Sequence, residues 1–282
     1  TLFPVPGSVP EIFAVQANLR FPDSVQRAVE GADVVINCVG VLASTGAQTF
    51  DAIHVSGARA VAKAARDAGV QRLIHVSAIG ADTKASANYA RTKAAGEQAT
   101  LQEFPGAVIL RPSIVFGPED EFFNRFAAMA RLSPAMPLIG SGVTKFQPVY
   151  VGDIAAAMAN IADGQGVPGK VYELGGPETL SFRQLLERTL EYCGRKRIFV
   201  PMPFWLATLQ ALATSPLPNA LRPITVDQVR LLKSDNIVSA AALNEGRTLS
   251  GLGVARPTAI AAVVPAYLER FNARGQYAHY RA

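Results

Sequence analysis

The sequence predicts an α/β protein: a doubly wound parallel sheet with a smaller C-terminal α/β lobe. Three observations predict it. Short β-branched apolar runs alternate with longer helical patterns over the first part of the chain. Those runs lack polar alternation, as strands covered on both faces do. The 282 residues are 49% hydrophobic and only 17% charged, which excludes intrinsic disorder and supplies a sizeable core.

The elements follow in order. Residues 33–39 read as a buried strand. Residues 50–68 read as a helix, with Ile53, Ala58, Val61, Ala64, Ala65 and Ala68 on one face and Gly69 as its stop. A strand over 72–77, a helix over 89–101 and a strand over 107–111 continue the alternation, with crossovers expected to be right-handed. After Pro112 the pattern loosens. Helices are expected over 124–131, 154–162, 182–193, 225–233 and 257–271, the third opened by Ser181 as N-cap. A turn is expected at Gly140, Ser141 and Gly142, and a strand over 170–174. The division falls into a sheet domain over 1–118 and a lobe over 119–282, interleaved with the sheet.

Composition narrows the classes. The 27 basic and 22 acidic residues give a diffuse net charge of +5. No basic helix face with interleaved aromatics appears, so no nucleic-acid partner is expected; the tail over 270–281 reads as a docking element. Cys38 and Cys193 are too few for a disulfide framework and imply a reducing compartment. His54, His75 and His279 are scattered, so no metal site is expected. No signal peptide is seen. Residues 198–221 are uncharged but broken by Pro201, Pro203, Pro216 and Pro218, which leaves a helix of 204–213, too short to span a membrane. This stretch, with the single Trp205, reads either as a buried loop-helix or as an interfacial or docking surface.

The parallel sheet raises the question of a nucleotide, because ligands bind at the carboxyl ends of its strands. A G-x-G-x-x-G pattern occurs at Gly164, Gly166 and Gly169. It follows a helix and precedes a strand, the reverse of a phosphate loop, and Pro168 removes an amide donor. It reads as a plain turn. No other phosphate loop is present, and the chain opens at Thr1 without Met. Either the first strand, glycine turn and helix lie upstream, or the fold binds no dinucleotide.

Tyr89 and Lys93 stand four residues apart and share one helix face. The ammonium is expected to favour the phenolate and lower the tyrosine pKa from about 10. Tyr89 is then a general acid or base, with Ser77 at the end of the preceding strand bonding the same substrate oxygen.

With these residues in place the chain resembles the extended (atypical) short-chain dehydrogenase/reductase superfamily, whose sheet is Rossmann-type. Asn18 and Leu19 are similar to its adenine-contacting turn. Asn37, Cys38, Val39 and Gly40 are similar to the turn that backs the cofactor. Ser77, Tyr89 and Lys93 match its active-site trio. Arg111, Pro112, Ser113 and Ile114 open the segment that lies beside the nicotinamide, and 147–153 and 172–177 resemble parts of the substrate lobe.

A narrower resemblance extends to the C-terminus. FDAIHVSG at 50–57, VSAIGAD at 76–82, GPEDEFFNRF at 117–126, TKFQPV at 144–149, DQVRLLKSDN at 227–236 and GQYAHY at 275–280 resemble the nucleotide-binding accessory subunits of respiratory complex I, of alphaproteobacterial or mitochondrial type. That resemblance implies NADPH, rather than NAD(H), held as a structural ligand off the electron-transfer path. It implies other complex I subunits as partners, near the quinone entrance where the peripheral and membrane arms meet. It places the chain peripherally on the cytoplasmic side of a bacterial inner membrane, or the matrix side in mitochondria, and not as an obligate homo-oligomer. Anionic lipid headgroups fit Arg195, Lys196 and Arg197 and the stretch over 195–222. The competing expectation is an independent NAD(P)-dependent epimerase, dehydratase or reductase on a nucleotide sugar or alcohol.

Overall fold

The computed structural model describes residues 12–217 and 222–272; Pro218, Leu221, the first eleven residues and the aromatic-basic tail from 273 lie outside them. Pro22 opens α1 (Pro22–Val29) at the position where a missing N–H costs nothing. β1 (Val34–Asn37) follows, then a π-helix (Asp51–Gly57) that runs straight into α2 (Ala58–Asp67). β2 (Arg72–Val76), α3 (Asn88–Glu103) and β3 (Val108–Pro112) continue the alternation. Next come β4 (Val115–Phe116), α4 (Phe123–Leu132), β5 (Ala135–Ile139), β6 (Lys145–Phe146), β7 (Val149–Tyr150) and α5 (Val151–Ala162). β8 (Val171–Leu174) and β9 (Leu180–Ser181) precede α6 (Phe182–Tyr192). β10 (Ile198–Met202), α7 (Phe204–Ala213), α8 (Val226–Leu231), α9 (Ala240–Asn244) and α10 (Ile260–Leu268) complete the described chain.

β1, β2, β3 and β8 form one parallel sheet in the order β1-β2-β3-β8. Its two faces feed different cores. Leu73 and Ile109 pack with Val25, Val61 and Ala65 from α1 and α2. Ile74, Val108 and Leu110 pack with Ile154, Ala157 and Ile161 from α5. Burial on both faces explains why β2 and β3 carry no polar alternation. β1 departs from the buried strand expected over 33–39: it is an edge of the described sheet, and Ile36 is exposed. A third core, built on Phe116, Phe123, Met136, Phe182, Leu186 and Leu268, holds the lobe together. Ser181 caps α6 through a reciprocal capping box with Gln184. Gly164, Gly166 and Gly169 all take positive φ in the turn between α5 and β8.

The structure corrects two more expectations. Residues 50–68 are not one α-helix, because the π-turn widens the first half and sets His54 and Gly57 beside Ile53 on the buried face. The five-residue step from Ile53 to Ala58 is the trace of this in the sequence. The stretch from Ile198 is not a loop-helix under the core. Residues 198–202 form a strand beside β5 in a two-stranded sheet, so Pro201 stands on an edge strand, where proline is tolerated. α7 buries only its small residues, Ala207 and Ala211, and turns Trp205 (68% exposed), Leu209 and Leu212 outward.

Gly96 decides how α3 meets the π-helix. A Cβ there would stand 2.0 Å from the carbonyl oxygen of His54. Gly96→Ala must therefore push two helices apart. It is expected to lower the unfolding free energy by about 3 kcal/mol, read from the denaturation midpoint; a midpoint equal to wild type contradicts the contact.

Candidate functional site

The carboxyl ends of three parallel strands meet at one edge of the sheet. β1 delivers Cys38, Val39 and Gly40 there, β2 delivers Ser77, and β3 ends on Pro112. Ser77 donates its N–H to the Leu110 carbonyl, which stitches β2 to β3 at this edge. Asn37 links to His75 across β1 and β2 (3.2 Å), and its Oδ1 accepts the Val39 amide. The loop after β1 thus leaves the sheet on a fixed path.

α3 lays Tyr89 and Lys93 over that edge. Lys93 is buried, and its Nζ donates to the Val76 carbonyl at 2.9 Å, one residue before Ser77. The same Nζ stands 6.0 Å from the centre of the Tyr89 ring. A Cβ on Gly40 would lie 3.3 Å from Nζ, so the bare backbone of this loop passes close to the ammonium and a side chain there would crowd it. Ser77 Oγ is buried and has no hydrogen-bond partner among the described residues. Buried hydroxyls are rarely left so, and this one suits a ligand oxygen.

His54 ties the parts together, and sequence reasoning did not single it out. Its Nε2 accepts the Val41 amide at 3.1 Å. That assigns the proton to Nδ1, which donates to Thr92 Oγ1 at 3.0 Å. The Thr92 hydroxyl in turn donates to the carbonyl of Asn88. The imidazole also stacks on Phe50 and meets the Tyr89 ring edge-on at 5.3 Å. No local spacing pairs Val41, His54 and Thr92; the π-turn alone hints at them.

Electrostatics overturn one expectation. Burial pushes the Tyr89 hydroxyl up to about 12, rather than Lys93 drawing it down. The ammonium faces the Val76 carbonyl and the ring, and burial lowers Lys93 itself to about 8. Burial first, and the Lys93 charge second, lower His54 to about 4 and His75 to about 3.

The remaining predicted residues fall in three places. Arg111 gives Nε and Nη2 to Glu97 in a bidentate pair at 2.8 and 2.6 Å, so its guanidinium braces β3 against α3. Ile114 packs against the lobe core. Leu19 lies against Gly57, where a Cβ would come within 2.9 Å of it, and Asn18 Oδ1 accepts the Arg20 amide in an exposed turn. The edge therefore gathers Gly40, Ser77, Tyr89 and Lys93, and leaves Asn18 and Ile114 apart. Among the described residues no three His, Cys, Asp or Glu side chains cluster as a metal site would.

Residues 6–175 match the model of the NAD dependent epimerase/dehydratase family. The chain belongs to this family. Its fold takes a nicotinamide dinucleotide, and the unpaired Ser77 Oγ and the bare backbone at Gly40 fit one. The chain is similar to the Arabidopsis thaliana protein named NADH dehydrogenase (ubiquinone) 1 alpha subcomplex subunit 9, mitochondrial. That relative is 34% identical over 84% of this chain and 61% of its own length. The Rattus norvegicus protein of the same name is 37% identical over 73% of this chain and 56% of its own. The chain thus spans little more than half the length of these relatives. The fold is also that of the Thermus thermophilus UDP-glucose 4-epimerase in complex with NAD. Here the TM-score is 0.63 at 21% identity, over 95% of this chain and 86% of that one.

The lowered histidines set an acid limit. A group whose folded pKa lies below its unfolded value of about 6.5 binds fewer protons when folded, so stability rises with pH across that window. Unfolding free energy is expected to fall as pH drops from about 6.5 towards 4, and His54→Gln to make that slope shallower. An unchanged slope in pH-dependent denaturation refutes the buried neutral imidazole.

Proposed function

We propose that this chain is an accessory subunit of respiratory complex I, NADH:ubiquinone oxidoreductase, that holds NADPH as a lasting structural ligand. The carboxyl edge of the sheet carries the ligand half of this reading: Ser77 Oγ, Lys93 Nζ and the Gly40 backbone converge where an open parallel sheet takes its ligand. When bound, the dinucleotide supplies hydride chemistry. The chain's own groups favour holding it. A phenol near 12 is poorly matched to proton exchange at neutral pH, and Lys93 is turned to a backbone carbonyl rather than to the Tyr89 hydroxyl. A ligand that binds only the folded state, at a thousandfold excess over its dissociation constant, stabilises by about 4 kcal/mol. Within this proposal the choice of NADPH over NADH rests on the motif resemblance alone.

The partner half rests on the names of the relatives and on the outward face of α7 and β10. Trp205, Leu209 and Leu212 stand at i, i+4 and i+7 on one exposed face, and Ile198 and Val200 of the preceding strand are exposed as well. Exposed Lys196 flanks it, between Arg195 and Arg197, whose Nε atoms bond the carbonyls of Phe271 and Ala130. No described helix is long and apolar enough to cross a membrane. An apolar face with a basic flank suits a junction of protein and anionic headgroups. In this reading residues 1–118 belong to the dinucleotide domain and 119–282 to the docking lobe. The seat is the cytoplasmic side of a bacterial inner membrane, where the peripheral arm meets the membrane arm. The intact Ser77, Tyr89 and Lys93 keep a second reading in play, an independent epimerase, dehydratase or reductase.

Two measurements test the proposal. Purified from native membranes in mild detergent, the chain is expected to travel with NADH:quinone oxidoreductase activity and to release about one NADPH on denaturation. Lys93→Met should lower that NADPH at least tenfold. Recovery solely as a free enzyme that turns over a nucleotide sugar rejects the proposal in favour of the second reading. Trp205→Asp with Leu209→Asp should move the chain from the membrane fraction to the supernatant, and retention there refutes the docking face.

A further inference from the structure

The first turn of α3 has no cap of its own. Ala87, at the N-cap position, offers no side-chain acceptor, and Asn88 and Tyr89 bring two of the amides that every helix start leaves without partners. Both are taken by a residue far along the chain. The Asn88 N–H donates to Asp227 Oδ1 at 2.6 Å, and the Tyr89 N–H donates to Asp227 Oδ2 at 2.8 Å. A carboxylate here also lies at the positive end of the helix dipole.

Asp227 is itself held firmly. It lies in the first turn of α8, which Thr225 and Gln228 close with a capping box. Val229, fully buried, seats α8 on Ile139 and on Ala207 and Ala211 of α7. A second link runs beside the first, from Arg230 Nη1 to the Ser86 carbonyl. A cavity of about 220 Å³ separates Asp227 and Thr225 from Phe50 and Ser44. Two charge-assisted bonds therefore join α8 to the backbone of Asn88 and Tyr89, from a carboxylate that itself lines this cavity.

We propose that Asp227 is the positioning residue for Tyr89. By holding both amides it fixes how the start of α3 is turned, and the dinucleotide pocket is completed by α8 of the C-terminal lobe as much as by the sheet. This rests on the reading that Ser77, Tyr89 and Lys93 hold a dinucleotide. It predicts that the Asp227 effect passes through Tyr89 and through a carboxylate. Asparagine has one acceptor oxygen and turns an N–H toward a backbone donor, so it replaces only half of the clamp.

The test uses the intact chain and NADPH, with affinity read from nicotinamide fluorescence and amide protection from hydrogen exchange without ligand. Asp227→Ala should weaken NADPH about tenfold, Asp227→Asn less, and Asp227→Glu should recover affinity to within threefold of wild type. In a Tyr89→Phe background, Asp227→Ala should add less than twofold, since coupled residues are not additive. Exchange at Asn88 and Tyr89 should rise in Asp227→Ala while the last turn of α3 keeps its protection. Where Asp227→Ala does not fold, Asp227→Asn carries the same comparisons. NADPH affinity within twofold of wild type in the variant that folds, or full additivity with Tyr89→Phe, overturns the proposal. A wild-type chain that binds no NADPH overturns the cofactor reading instead, and the exchange measurement then stands alone on the clamp.

Discussion

The close approach of α3 to the π-helix is the constraint on which the site depends. With no side chain at Gly96, the carbonyl of His54 sits where a Cβ would be. Held that near, α3 puts Thr92 within reach of the His54 ring and lays Lys93 over the end of β2. The π-turn is the other half of the same arrangement. By widening the helix by one residue per turn, it aims the His54 ring at both Val41 and Thr92. The loop after β1, α3 and the π-turn between them are therefore one unit, joined through a neutral imidazole.

Within that unit Lys93 is the electrostatic centre. It lowers the proton affinity of His54 and His75, and it is sustained in turn by Glu97, one helical turn further on. Glu97 is buried and paired bidentately with Arg111. A cation of this kind, taken out of water and offered a single carbonyl, is under-satisfied, since an ammonium carries three donors. The same holds for the nearby Ser77 hydroxyl. Unspent donors next to a bare backbone at Gly40 describe a place for an oxygen-rich ligand better than a packed core does.

Much of this was legible from local pattern. Tyr89 and Lys93 four apart on one helix, Ser181 as an N-cap, α7 between two prolines, and the dismissal of Gly164, Gly166 and Gly169 as a phosphate loop are each statements about neighbours in sequence. What escaped was carried by distant partners. Nothing in the spacing of Val41, His54 and Thr92 announces a bonded chain, and the π-turn left only a step of five in the apolar pattern. The direction of the Tyr89 shift escaped for a different reason. Proximity to an ammonium was readable, but burial was not, and burial is what raises the phenol. The fate of the 198–217 stretch was undecided in the sequence because apolar content does not say which face a helix buries; the alanines of α7 turned out to be the inward ones.

The two amides at the start of α3 and the carboxylate that binds them are 139 and 138 residues apart. A ribosome adds about 5–20 residues per second, so on the order of ten seconds separate their synthesis. The strands β1, β2 and β3 and all of α3 precede that moment, and β8, which closes the sheet beside β3, also emerges before Asp227. Throughout this interval the turn bearing Tyr89 keeps its amides in water. The chain thus settles the turn that bears Tyr89 late, with α9 and α10 still to be made, and a truncated product that stops short of α8 would carry the sheet without a settled Tyr89.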